Sequence, residues 1–259
     1  VKTPLIRAGA RGDGKYKTAS WDEALNYVAE KMEAIKKDYG PEAVCLFHGG
    51  GCSSHLIPLM AAFGSPNFGN PAFAQCRGPR DIGFLLTFGD YPGAPERLDL
   101  ANSKVIVLFG SHLGENMHNS QAQDFAEAVG RKVKLIVVDP RFSTAAGKAR
   151  YWLPIRPGTD TALMLTWTNI LIKEGLFDRD FVKRYATGFE ELAASVAECT
   201  PEWAEKETDI PASRIVETAF EIGRCSPAVC IHPGRHASWY GNDVQRSRAL
   251  AILSAILGS

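Results

Sequence analysis

The chain has 259 residues, of which 45% are hydrophobic, and its mean hydropathy is -0.12, values of a water-soluble globular protein with enough material for one large domain or two moderate ones. Its 29 basic and 29 acidic residues cancel, which argues against a nucleic-acid partner. No apolar run approaches the roughly 18 to 20 residues that span a bilayer, and Val1 does not open a secretory signal, so any targeting signal is expected upstream or already removed.

Residues 1 to 18 are Gly-rich and basic and read as a connector that enters a short strand at Lys15 to Thr18. Ser20 and Glu23 stand at capping-box spacing, so Ser20 is expected to cap a helix and Glu23 to reach back to it. That helix carries Ala24, Leu25, Val28, Met32 and Ile35 on one stripe and ends near Gly40 and Pro41. A strand, Ala43 to Phe47, follows and runs into His48 and the glycines Gly49, Gly50 and Gly51. Three glycines after a strand let backbone approach a ligand, although a plain flexible loop is the commoner explanation.

Pro41 to Gly49 is echoed by Pro227 to Gly234, since both contain Ala-Val-Cys, an aliphatic residue and a downstream glycine. The echo predicts two strands of one sheet, with the intervening segment as an inserted domain. The turn-rich stretch Gly64 to Pro71 leads into that insert, which begins around Phe73 to Pro79 and contains Cys76.

Within the insert, Val105 to Phe109 and Leu135 to Val138 are continuous Val- and Ile-rich runs separated by residues of helical spacing, the pattern of parallel strands buried on both faces. The first run ends at Gly110 and Ser111 and the second at Asp139. Ligands of such βαβ units sit outside these strand ends, where small residues let N–H groups approach phosphate and a carboxylate can accept from a ribose diol. Asp160, after the Pro-Gly turn at Gly158, offers a partner for the donor edge of a guanine. Ordinary strand-ending and turn residues account for Asp139, Pro140 and Gly158 equally well.

Helices are predicted over 161–174, 178–185, 190–197, from Pro201, over 214–224 and over 243–257, the last stopped by Gly258. The six cysteines contain no C-x-x-C pair, and the histidines no H-E-x-x-H. G-x-S-x-G, P-loop and full G-x-G-x-x-G patterns are absent, which removes the usual warrant for hydrolase, NTPase or nicotinamide chemistry.

Taken together, Phe109-Gly110-Ser111, Val138-Asp139-Pro140-Arg141, Ala145, Ala149 and Trp152 through Leu163 resemble the molybdopterin oxidoreductases of the dimethyl sulfoxide reductase superfamily. From Pro4 through Ser20-Trp21-Asp22-Glu23-Ala24, Gly64-Ser65-Pro66-Asn67 and Cys76 to Gly234 and Asp243, the chain is similar to the central part of a polysulfide or thiosulfate reductase catalytic subunit. Because subunits of that family are much longer, the chain is read as a fragment.

The resemblance implies molybdenum or tungsten bound by two molybdopterin guanine dinucleotides, with Cys76 as a metal ligand. A thiolate suits a sulfur-held metal, and Arg77 and Arg80 favour its ionised form. On the residues alone, a buried inert cysteine is the other reading. The resemblance also implies that Arg235 holds an anionic substrate and His236 moves protons, with Arg235 pairing to a pterin phosphate or a structural carboxylate as the alternative. One dinucleotide would be held by Gly110, Ser111, Glu115, Asn116, Asp139, Arg141, Gly158 and Asp160, and the second near Gly49, Gly50 and Gly234.

The expected fold class is α/β, with a Rossmann-like parallel-sheet domain (73–225) inserted into a discontinuous α/β domain (1–72 and 226–259). The expected function is reduction of a sulfur compound such as polysulfide or thiosulfate. Formate dehydrogenase, arsenate reductase or a catalytically silent cofactor-binding module are the alternatives. A [4Fe-4S] cluster belongs to the family's N-terminal part, outside these residues. Expected partners are a small anionic substrate and an iron–sulfur electron-transfer subunit, with or without a membrane anchor subunit. Periplasmic or membrane-associated placement follows from such partners, with the cytoplasm left open.

Overall fold

The computed structural model describes residues 2–48, 55–69, 78–90, 98–111, 113, 121–234 and 241–259. The chain divides into two compact units, 1–73 and 74–259.

In the first unit, β1 (Leu5–Arg7) pairs antiparallel with β2 (Tyr16–Thr18), and α1 (Trp21–Tyr39) follows. Ser20 Oγ accepts from the N–H of Glu23 at 3.1 Å, as the spacing predicts. The reciprocal half of the box is not made. Glu23 Oε1 instead accepts from Lys17 Nζ at 2.9 Å, because an ammonium is a stronger partner than a backbone amide. The α1 stripe is amphipathic as expected, yet Leu25, Val28 and Ile35 are exposed.

Beyond α1, β3 (Leu46–Phe47), α2 (Leu56–Phe63) and β4 (Phe68–Gly69) complete the unit. β3 and β4 pair in parallel, and the turn between α2 and β4 is tied to the start of β3. Ser65 Oγ donates to Val44 O and Asn67 Nδ2 to Glu42 O, each at 2.6 Å. The predicted strand is shorter than expected, since Pro41–Ala43 form a 3-10 turn.

The second unit opens with α3 (Gly78–Phe88), followed by β5 (Val105–Phe109), α4 (Ala122–Gly130), β6 (Lys134–Val138) and β7 (Tyr151–Leu153). Then come α5 (Asp160–Lys173), α6 (Arg179–Tyr185), α7 (Phe189–Val196), α8 (Pro201–Thr208), α9 (Ala212–Gly223), β8 (Val229–His232) and α10 (Asp243–Ile256). The strands form a parallel sheet in the order β7-β6-β5-β8. β5 and β6 read as continuous apolar runs because both faces are covered. Val105, Val107, Phe109, Ile136 and Val138 join the core beneath α5, α9 and α10, while Ile106, Leu108, Leu135 and Val137 join Phe125 and Ala128 of α4.

Two helix contacts fix this core. Trp167 of α5 is fully buried, donates from Nε1 to Thr218 Oγ1 at 3.1 Å on α9, and meets the Phe109 ring edge-on at 5.9 Å. α3 and α10 cross so closely that a Cβ on Gly83 would stand 2.5 Å from Ser247 Cβ.

Among the described residues the two echoed strands do not share a sheet, contrary to expectation. β8 pairs with β5 and not with β3, and Lys104 N–H donates to Ala228 O at 2.8 Å. Segment 226–259 accordingly belongs to the second unit and not with 1–72. The physical reason is that Ala-Val-Cys followed by an aliphatic residue describes a half-buried pleat without naming its neighbour.

Candidate cofactor site at the carboxyl ends of the sheet

β5 precedes β6 and β7 on one side, and the chain then crosses to β8 on the other, so the strand order reverses between β5 and β8. In open α/β sheets the crevice outside the carboxyl ends at that reversal is where ligands bind. Gly110, Ser111 and Gly234 lie there, and Asp139 lies one strand away.

Gly110 (φ 52°) turns the chain out of β5, and its N–H donates to Val138 O at 2.9 Å. Ser111 is fully buried and its Oγ has no hydrogen-bond partner. Asp139 is 4% exposed. Its N–H is bonded to Leu153 O, its carbonyl accepts from Trp152 Nε1 at 2.8 Å, and its Oδ1 accepts from Arg141 N–H at 2.8 Å. Oδ2 remains buried with no partner. Two backbone hydrogen bonds and one to the carboxylate thus fix Asp139 with one oxygen in reserve, and a buried acceptor left unsatisfied costs about 1–3 kcal/mol.

Gly234 (φ 70°) follows β8 and lies against the carbonyl oxygen of Phe109, where any Cβ would overlap it. Its N–H donates to Nδ1 of the buried His232 at 3.0 Å. The approach that was expected to serve a ligand is here made to β5 itself, which closes the β5–β8 seam.

Asp160 begins α5 and is 8% exposed, and Arg246 of α10 reaches it, with Nε 3.6 Å from Oδ2. Gly158 (φ 86°) is the third residue of the turn Arg156 to Thr159, whose Thr159 N–H donates to Arg156 O at 3.3 Å. Pro157 then Gly158 is the pairing that a type II turn requires, so turn geometry explains this glycine. Arg156 itself pairs with Asp209 at 2.6 Å, and the Arg141 side chain is exposed.

Gly110, Ser111, Asp139 and Gly234 therefore follow the carboxyl ends of β5, β6 and β8, and Asp160 joins them through Arg246. Gly49, Gly50, Cys76, Glu115, Asn116, Arg235 and His236 lie outside the described residues. Among the described residues no group of His, Cys, Asp and Glu could hold a metal, and no helix is long and apolar enough to cross a membrane.

Arg246 was not anticipated from sequence, although a signal for it exists. It occupies the stripe of Asp243, Leu250, Leu253 and Leu257, at spacings that bury a helix face, and a charge at such a position needs a partner. A groove of about 550 Å³ bordered by Phe88, Tyr185, Phe189 and Ile252 shares no residue with the strand ends.

The sequence model of the family described as molybdopterin oxidoreductase matches residues 1–257. The chain is 37% identical, over an alignment of 260 residues, to the thiosulfate reductase molybdopterin-containing subunit PhsA of Salmonella typhimurium, covering 100% of this chain and 34% of that protein. It is 33% identical over 299 residues to the dimethyl sulfoxide reductase DmsA of Escherichia coli, covering 100% and 36%. Among solved structures, acetylene hydratase from Pelobacter acetylenicus superposes with a TM-score of 0.75 at 34% identity, covering 100% of this chain and 36% of that one. The chain spans about a third of the length of the relatives it matches. It belongs to the molybdopterin oxidoreductase family.

Proposed function

We propose that this chain is the central part of the catalytic subunit of a molybdenum or tungsten oxidoreductase that carries two molybdopterin guanine dinucleotides and reduces a small anionic sulfur compound such as polysulfide or thiosulfate. The observation that carries the reading is the pair of buried, unpartnered atoms Ser111 Oγ and Asp139 Oδ2 at the ends of adjacent parallel strands. A hydroxyl and a carboxylate oxygen held in that state suit the hydroxyls and phosphates of a nucleotide, so the residues present fit such a cofactor.

When bound, the metal and pterins would supply the two-electron chemistry, and the protein binding, orientation and charge. Asp139 accepts from ribose hydroxyls, Ser111 bonds a phosphate oxygen, and Asp160 accepts from the donor edge of the guanine. Gly110 keeps the exit from β5 free of a side chain. Glu115, Asn116 and Arg141 take the supporting positions that the resemblance implies.

Cys76 is the proposed protein ligand of the metal. Arg235 grips the substrate anion with its fork of donors, and His236 holds and releases a proton near neutral pH. Identity to PhsA over the whole chain favours a sulfur oxyanion or polysulfide over a sulfoxide. PhsA is named as a subunit, which supports a partner chain of some kind. That the partner is an iron–sulfur electron-transfer subunit, with or without a membrane anchor subunit, and that the protein is placed at the periplasm or membrane through them, is what the resemblance implies. A [4Fe-4S] cluster is proposed for the full-length protein, outside residues 1–259.

The test is steady-state reduction of polysulfide, thiosulfate, tetrathionate, arsenate and dimethyl sulfoxide by reduced viologen, with formate oxidation in parallel, using the full-length subunit. Polysulfide or thiosulfate should turn over fastest, and Cys76→Ala should abolish turnover. Faster turnover of formate, arsenate or the sulfoxide would overturn the substrate assignment, and activity retained in Cys76→Ala would overturn the ligand assignment.

A further inference from the structure

Arg246 is a buried cation at the strand-order reversal. Its guanidinium is anchored at one point, where Nη1 donates to Pro233 O at 2.9 Å. Nε lies 3.6 Å from Asp160 Oδ2, near enough to balance charge and too far for a hydrogen bond. Neither Nε nor Nη2 has a hydrogen-bond partner, although the residue is only 6% exposed. Nη2 stands 3.6 Å from the place a Cβ on Gly234 would take, and the guanidinium carbon lies 5.8 Å from the centre of the Phe109 ring. The open donors therefore stand at the carboxyl ends of β5 and β8.

Nε–H and one N–H of Nη2 point the same way and form the side-on fork that matches two oxygens of a phosphate. A buried guanidinium with one hydrogen bond and one distant carboxylate is incompletely compensated for its loss of water, and the partner that completes it is an anion. Asp139, at the end of β6, offers a free acceptor instead of a donor. The strand ends thus divide into an acceptor side at β6 and a donor side at β8.

Resting on the nucleotide reading above, we infer that Arg246 is a phosphate-binding residue of the cofactor site, with Gly234 keeping the space beside Nη2 clear of a side chain. Asp160 balances the charge of Arg246 until the phosphate does so.

The experiment uses the full-length subunit, purified from a host unable to make the pterin, with GDP and guanosine titrated separately by calorimetry. Wild-type protein should bind GDP more tightly than guanosine. Arg246→Met should weaken GDP binding by about 10- to 100-fold and leave guanosine within about twofold. Arg246→Lys, which keeps the charge and loses the fork, should fall between them, and it serves as the readout if the Met variant does not fold. Equal weakening of GDP and guanosine would show that Arg246 only supports the fold, and unchanged GDP binding would show that it does not meet phosphate. Either result overturns the inference and leaves the nucleotide reading standing. Wild-type protein that binds neither ligand would overturn both.

Discussion

Gly234 and the carbonyl oxygen of Phe109 lie so close that no side chain fits between them, and this contact joins the end of β8 to the end of β5. Gly234→Ala meets backbone, which cannot swing aside, at a φ of 70° that L-residues rarely adopt. A loss of at least about 2 kcal/mol is expected, read as a lowered midpoint in denaturant unfolding. An unchanged midpoint would show that the β5–β8 seam can open to admit a methyl group.

The crossing of α3 and α10 makes a similar prediction away from the strand ends. A methyl on Gly83 would press on Ser247 Cβ at 2.5 Å and on Arg248 N at 2.9 Å. Gly83→Ala gains helix propensity of about 1 kcal/mol yet overpacks a helix contact at a typical cost of about 1–3 kcal/mol, so net destabilisation is expected in thermal unfolding. Stabilisation would mean that the helices can separate freely.

Ser111→Ala should separate folding from binding. The Oγ atom is buried without a partner, so its removal in cofactor-free protein is expected to raise stability by up to about 1–3 kcal/mol. The same variant should retain less cofactor after gel filtration of the loaded full-length subunit. Lower stability in the cofactor-free state would show that the hydroxyl serves the fold.

At the other end of the sheet, Glu221 of α9 is bonded to Lys134 at the start of β6, lies 3.2 Å from Arg150 and accepts from Tyr151. Burial alone would raise its carboxyl, but Lys134, Arg150 and Tyr151 outweigh that and hold it below the ordinary 4.5. A depressed carboxyl stabilises the folded state above its unfolded value, and that contribution is lost as pH falls from about 4.5 through the folded value. Lys134 is raised above 10.5, chiefly by its bond to Glu221, so its share is present below that pH and is lost as pH rises through the folded value. Glu221→Gln should reduce the acid-side slope in a plot of unfolding free energy against pH. A slope identical to that of the wild type would place the titration elsewhere.

The central sheet was legible because Val105 to Phe109 and Leu135 to Val138 are covered on both faces and carry no polar interruption. α9 was equally readable, since Ile215, Ala219 and Ile222 repeat at helical spacing and are all fully buried. The partner of β8 was not legible. Its four residues fit any parallel neighbour, and the resemblance to Ala43 to Phe47 pointed to β3 when packing chose β5. Ser111, Asp139 and Asp160 were legible as strand-end and turn residues, but Arg246 was not, because it stands about 90 positions from Asp160 in sequence and meets it only through the packing of α10 on α5. Glu23 shows the same limit on a local scale. Its spacing from Ser20 was read correctly, and Lys17 took its side chain.

The most direct measurement is the GMP released by acid hydrolysis of the purified full-length subunit, wild type against Asp139→Ala, with molybdenum and tungsten measured in the same samples. Wild-type protein should yield GMP together with one of the metals, and Asp139→Ala should yield much less GMP. Wild-type protein without GMP, or a variant with an undiminished GMP content, would contradict the placement of the cofactor at the carboxyl ends of β5 and β6.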